Sequence, residues 1–320
     1  MGPVLAPPVS ESPAAALTWL LFLGSSAHVA ATGYLFTVPD VRTHVAAHRR
    51  RYVFVPAGLI VLAALLAGLL RPSQMEWLLL LYFCWQFLHF QKQNVGMVAL
   101  ATSALALRSP SSAERWPLLL AAWAGILGLC ARPTLLQLHL DTHLGVMTGL
   151  AGGLYLVAIL GGVRALVKRP AGSRGAGYCL VYVSSLGFFV PLFVFRSPYA
   201  AVAGVTIAHG LQYLLLVGLV AGSRHQSMTR TFAMAAFVNV ALVGGIALAL
   251  ASHLHGGPAV DRLVFGAYLG LVMTHFVVDG GLWRLREPFP RAFLSTRLPF
   301  LVAPAASVVA SVDDRSVADI

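Results

Sequence analysis

The chain has 320 residues, of which 58% are hydrophobic and 10% charged, whereas a soluble domain averages about 45–50% apolar and about 25% charged. A mean hydropathy of +0.79 points the same way and excludes a single soluble domain. The net charge of +11 comes from 22 Lys+Arg against 11 Asp+Glu; with no soluble face to hold a duplex, nucleic acid is not an expected partner.

In chain order, residues 1–13 carry Pro, Ser and Glu11 but neither Lys nor Arg. A cleaved signal needs a basic start, so a short extracytoplasmic segment and a retained first helix are expected. A membrane span needs about 20 apolar residues. Runs of about that length cover 14–38, 53–70, 75–107, 117–131, 144–163, 176–195, 199–221, 231–251 and 263–283. The run 117–131 is short. The run 75–107 is long and has a polar centre, Gln91-Lys92-Gln93-Asn94, so it reads as one tilted helix or a broken one. Four polar residues in a row at mid-membrane are expected to face the protein interior. From residue 299 the chain becomes a flexible cytoplasmic tail.

The charges test this map. If the loop holding Arg42, Arg49, Arg50 and Arg51 is cytoplasmic, nine spans place 17 basic residues on that side. The other side keeps four, Arg71, Arg132, Arg196 and Arg262, and Lys92 stays inside a span. This is the positive-inside pattern. The expected fold is an all-α polytopic helical bundle of about nine spans, N-terminus outside and C-terminus cytoplasmic. Residues 14–298 form its single domain, with 1–13 and 299–320 as flanking segments, in a bacterial cytoplasmic membrane.

Eleven histidines equal all the carboxylates in number. His28, His89, His209 and His275 fall near the middle of the first, third, seventh and ninth spans. All four spans run in one direction, so these side chains share a depth. A hydrogen-bonding residue comes about one turn after each, on the same face: Thr32, Gln93, Gln212 with Tyr213, and Asp279. Neutral imidazole is the commonest transition-metal ligand, and carboxylates or amides orient such ligands. The four histidines are therefore candidate metal ligands, and Asp279, Gln93 and Tyr213 candidate catalytic residues. His44, His48 and His225 read as surface residues of basic loops, and His253 and His255 as loop residues. His139-Leu140-Asp141-Thr142-His143 reads as a solvated helix start, Trp283, Arg284 and Arg286 as an interfacial anchor. Cys84, Cys130 and Cys179 are far apart and read as small apolar residues with no disulfide framework.

The sequence around His89-Phe90, the Ile207-Ala208-His209 segment and the closing His275-x-x-x-Asp279 resemble the Brp/Blh family of membrane-embedded carotenoid-cleaving oxygenases. The resemblance implies a non-haem iron held by His28, His89 and His209, with His275 and Asp279 alongside. Two positions differ from the family pattern. Gly24-Ser25-Ser26-Ala27-His28 lacks a flanking Pro and Gly, and Tyr213 stands where the family has a second histidine.

The leading expectation is a metal-dependent oxygenase or hydroxylase acting on a lipid-soluble small molecule within the bilayer. Non-haem Fe comes first, with Zn, Cu or haem as alternatives, and an electron-donor protein of unknown identity. A haem-binding electron carrier and a transporter or proton-coupled carrier using the same His/Asp cluster stay open. A rhodopsin is excluded because the last spans lack a Schiff-base lysine. A desaturase-type di-iron site is excluded because no His-His pair occurs, and a quinone reductase because no paired cysteines are evident.

Overall fold

A computed structural model describes residues 15–140, 145–223 and 229–302. Helix accounts for 84% of it, with no strand among the described residues, so the chain is all-α. Helix α1 runs as Ala15–Phe22, a π-turn Leu23–Ala27 and His28–Leu35. The short α2 (Pro39–Ala47) turns away from it by 83°. Then come α3 (Arg50–Leu69), α4 (Pro72–Ala104), α5 (Ser112–Ala131) and α6 (Gly145–Lys168). Next is a broken pair, α7 (Ala176–Leu186) and α8 (Val190–Val194). The chain closes with α9 (Tyr199–Ala221), α10 (Arg230–Ser252), α11 (Ala259–Leu282) and α12 (Pro288–Arg297).

Five helices, α3, α6, α9, α10 and α11, are long and apolar enough to cross a bilayer, and α1 with α2 makes a sixth candidate. Their outer faces carry Leu69, Val146, Leu160, Leu250 and Ile246, all more than half exposed. So large an apolar exterior suits lipid rather than water. The remaining runs are also helical. The long run is one unbroken helix, α4, and the short one is a full 20 residues, α5. The sixth run breaks where Gly187 ends α7, with Pro191 in the first turn of α8.

Helices α1, α4, α9 and α11 occupy the middle. Helix α3 packs along α11, α10 along α1, and the α5–α6 pair flanks α4. Two glycines bring α1 and α9 into close contact. A Cβ on Gly210 of α9 would land on the backbone of Gly24 of α1, and a Cβ on Gly24 on the Cα of Ile207. Only glycine permits so close an approach of two backbones, and each lies within about one turn of a histidine.

The polar block of α4 divides. Gln91 and Asn94 are buried, Gln93 is half-buried and Lys92 is exposed. The expectation that all four face inward is corrected by helix geometry: at 3.6 residues per turn, four successive side chains sweep most of the circumference. Lys92 takes the outer face of α4, near the middle of the helix.

Near the start of α5 is a buried ionic corner. Arg169, wholly buried, donates from Nη1 to Glu114 Oε1 (2.6 Å), from Nε to the Ser173 carbonyl (2.7 Å) and from Nη2 to the Arg108 carbonyl. Its guanidinium lies 4.0 Å over the Tyr178 ring. Glu114 also accepts from Tyr178 Oη and from the Ser111 backbone N–H and hydroxyl, each at 2.7 Å.

Two short helices that the apolar runs do not predict, α2 and α12, lie together: Arg297 pairs with Asp40 (2.9 Å) and His44 stacks on Phe289 (4.0 Å). His44 is thus packed rather than a free surface residue. Leu298 and Val302 are buried, so the start of the expected tail belongs to the fold. Trp283 lies 6.3 Å from the Tyr213 ring, which ties it to the interior instead of a purely interfacial position.

Candidate metal centre

The π-turn Leu23–Ala27 ends at His28. Such a turn inserts an extra residue and re-aims the side chains after it, and π-bulges concentrate at functional sites. His89 sits in α4, His209 in α9 and His275 in α11. The four rings form a closed quadrilateral. Centroid separations are 5.1 Å for His28–His209, 4.9 Å for His209–His89, 5.1 Å for His89–His275 and 5.0 Å for His275–His28. All four are at most 5% exposed. The depth-matched histidines expected from the sequence are therefore brought together.

Possible ligand atoms of His28, His209 and His275 lie within 4.8 Å of one another, and so do those of His89, His275 and Asp279. Asp279 Oδ2 is 3.5 Å from His89 Nε2. The donor atoms are idle, which is unusual for a buried cluster: both ring nitrogens of His28 and His209, Nε2 of His89 and of His275, and Oδ1 of Asp279 have no hydrogen-bond partner. Buried polar atoms are normally satisfied, and buried charges are paired or bind metals. A nitrogen-rich set with one carboxylate suits Fe, Zn, Cu or Mn.

The one ring nitrogen that is held explains an orientation. Thr32 Oγ1 lies 2.7 Å from His275 Nδ1 and 3.0 Å from Tyr213 Oη. If His275 Nδ1–H donates to Thr32, Nε2 carries the lone pair that faces the cluster. Thr32 thus serves the histidine of another helix, not His28 of its own. The Tyr213 hydroxyl meets the cluster through Thr32, and its ring packs edge-on against His275 at 4.8 Å. Gln93 points elsewhere: its Nε2 donates to the His209 carbonyl (3.2 Å) and to Gln212 Oε1 (3.0 Å). It braces α4 on α9 beneath the cluster, while its Oε1 is buried with no hydrogen-bond partner.

Aromatic rings close the sides. Phe90 stacks on His209 at 4.2 Å and Phe276 on His89 at 4.4 Å. Each comes directly after a candidate ligand in sequence yet covers a histidine on another helix. Ser25, Gln86 and Thr206, each three residues before a histidine, are missed when only the turn after each histidine is considered. The turn before lies on the same face, so the spacing alone could have found them.

The other histidines stay apart. His139, His253 and His255 are exposed, while Asp141, His143 and His225 lie outside the described residues. The three cysteines are free thiols, as expected, but Cys84 Sγ of α4 and Cys130 Sγ of α5 are 3.6 Å apart, because neighbouring helices join positions that are 46 residues apart in sequence. Comparison with protein-family models, with curated proteins and with solved structures finds no match.

Proposed function

We propose that this chain is a membrane-embedded metalloprotein whose central cluster binds a transition-metal ion and serves an oxygenase or hydroxylase acting on a lipid-soluble substrate. All nine helical runs cross the bilayer in this reading, with the arginine-rich face cytoplasmic. Its support is the 17-to-4 division of basic residues and the helical state of every run.

The observation that carries the proposal is the set of idle donor atoms on His28, His89, His209, His275 and Asp279, buried together from four helices. Unpaired, such a set costs free energy; as a ligand sphere each of the five side chains gives one of its idle atoms to the ion. A redox-active ion such as non-haem iron would supply activation of O₂ for insertion into the substrate. The chain's own residues hold the imidazoles in place. Thr32 fixes the His275 ring, Asp279 brings a carboxyl oxygen beside His89, and Phe90 and Phe276 keep water from two of the rings. The order of the histidines along the chain, similar to that of the Brp/Blh family, agrees with this reading.

Metal analysis of detergent-purified protein is the test. We expect Fe, or else Zn, Cu or Mn, near one or two equivalents, lost in His89→Ala and His275→Ala. No copurifying or rebound metal, or a Soret band in the absorption spectrum, would sink the proposal.

A further inference from the structure

A cavity of about 700 Å³, within the usual size range of small-molecule sites, reaches to within one helical turn of the candidate centre. It is built from the first halves of the same four helices. Its walls are apolar and aromatic, with Leu79, Phe83, Phe265 and Leu269 among them. Its innermost lining residues on α1, α4 and α9 are Ser25, Gln86 and Thr206. Each stands one turn before a histidine of the cluster. From Glu76 at the mouth to Gln86 is ten residues of α4, or a depth of about 15 Å.

The chemistry of the two ends differs. At the floor, the Ser25 hydroxyl donates to the Leu21 carbonyl (2.6 Å) and the Thr206 hydroxyl to the Val202 carbonyl (2.9 Å). Their protons are committed, so towards the cavity they offer oxygen lone pairs. Gln86 is 6% exposed, and its Oε1 has no partner. Three acceptors and one amide donor therefore meet at the floor. At the mouth, charges are already engaged. Glu76 accepts from the His139 backbone N–H (3.0 Å), and Arg262 donates to the carbonyls of Ala67 and Gly68 (3.3 and 3.1 Å).

We infer that this cavity is the substrate site of the proposed metal centre, and that it takes a single-headed lipid alcohol. The ligand is an apolar molecule about 15 Å long with one hydroxyl at its inner end, inserted hydroxyl-first from the end at which the four helices begin. A hydroxyl both donates and accepts, so it matches an acceptor-rich floor with one amide N–H. A carbonyl would leave the floor acceptors unpaired, which is costly in a buried site. A charged headgroup finds no counter-charge at the floor, where the lining residues Ser25, Gln86 and Thr206 are neutral. The inference rests on the metal reading only for calling the ligand a substrate.

The test uses photolabelling of full-length protein in detergent. One probe is a long-chain primary alcohol bearing a diazirine; the other is the alkane of equal length bearing the same group. Peptide mass spectrometry locates the labels, and metal content is measured on the same samples. We expect the alcohol to label the Leu79–Gln86 and Val202–Thr206 segments about tenfold more than the alkane, the worth of about one buried hydrogen bond. Gln86→Leu should bring the alcohol down to the alkane level, with metal content unchanged. Equal labelling by alcohol and alkane in the wild type overturns the inference, as does alcohol-selective labelling that survives Gln86→Leu. The wild-type contrast decides even if a variant fails to fold. Alcohol-selective labelling of a protein that holds no metal would uphold the cavity assignment while the metal reading falls.

Discussion

Two buried polar clusters in this chain face the same desolvation cost in opposite ways. In the corner around Arg169 and Glu114, each of the three guanidinium nitrogens has an acceptor, and both carboxylate oxygens accept hydrogen bonds. Nothing is left over to offer a ligand. In the histidine cluster, seven nitrogen and oxygen atoms on five side chains are buried with no partner. The one firm contact, Thr32 to His275, orients a ring without occupying its second nitrogen. A closed cluster ties loops and helices together. An open one is an arrangement waiting for something to be bound, and only the second has the chemistry of a site.

The largest expected effect is on metal binding. Alanine at His28, His89, His209 or His275 should weaken it by more than the roughly 10–100-fold typical of residues that merely orient a ligand. Chelation should lower the unfolding temperature of the wild type, because an ion bound only to the folded state stabilises it. Both are read by metal analysis and thermal unfolding in detergent. The contrast between open and closed clusters breaks if an alanine variant keeps full metal content.

The closed corner should answer to stability alone. Arg169→Met leaves Glu114 charged and buried, and removing one partner of a buried pair costs about 3–5 kcal/mol. Unfolding in detergent should show that loss while metal content per folded molecule stays at the wild-type level. Adding Glu114→Leu should recover part of it, since an apolar replacement of both partners removes the stranded charge. A drop in metal content in the Arg169→Met variant would mean that the two clusters are coupled.

A smaller effect is expected where the open cluster is held. Thr32→Val keeps shape but removes the oxygen beside His275 Nδ1, and Tyr213→Phe removes the next hydroxyl along. Thr32→Val should weaken metal binding by about 10-fold or more, and Tyr213→Phe by less, since Tyr213 acts at one remove. If Tyr213→Phe were the more damaging, Tyr213 would have a direct role at the centre.

Much of this arrangement is legible in the sequence for a simple reason. Charge is costly in a bilayer, so the apolar runs and the arginine-bearing loops stand out without any tertiary information, and four ionisable residues at one depth in like-directed helices stand out against them. What the sequence does not carry is rotation and partnership. Periodicity places Thr32 on the face of His28, but only packing shows that it reaches across to His275. Gln93 has the residue type of a ligand-orienting group, yet α9 lies close enough to turn it towards Gln212. Glu114 and Arg169, 55 positions apart, read as unrelated loop charges until the helices bring them together. Spacing puts Gln86 on the face of His89, but that it lines a cavity is set by the spaces between helices.

The smallest expected effect bears on that missing rotation. On α4, Tyr82, Gln86, His89 and Gln93 keep the i, i+4, i+7, i+11 spacing of one face, which lines the cavity and the centre. Cys84, Leu88 and Gln91 keep the same spacing on a second face, where Gln91 donates to the Leu118 carbonyl of α5 (2.8 Å) and Cys84 meets Cys130. Sulfurs 3.6 Å apart need only side-chain rotation to approach the bonding distance of about 2.05 Å. Oxidation by diamide, a membrane-permeant and metal-free oxidant, should therefore take two protons and two electrons from this pair, reducing the azo group to a hydrazine, giving one intramolecular crosslink and leaving Cys179 titratable. Metal content and unfolding temperature should barely change, because neither cluster is touched. Turning α4 by a single residue, about 100°, would part the two sulfurs and swing His89 out of the quadrilateral. A failure to crosslink would thus count against the placement of His89 as directly as against the cysteine pair.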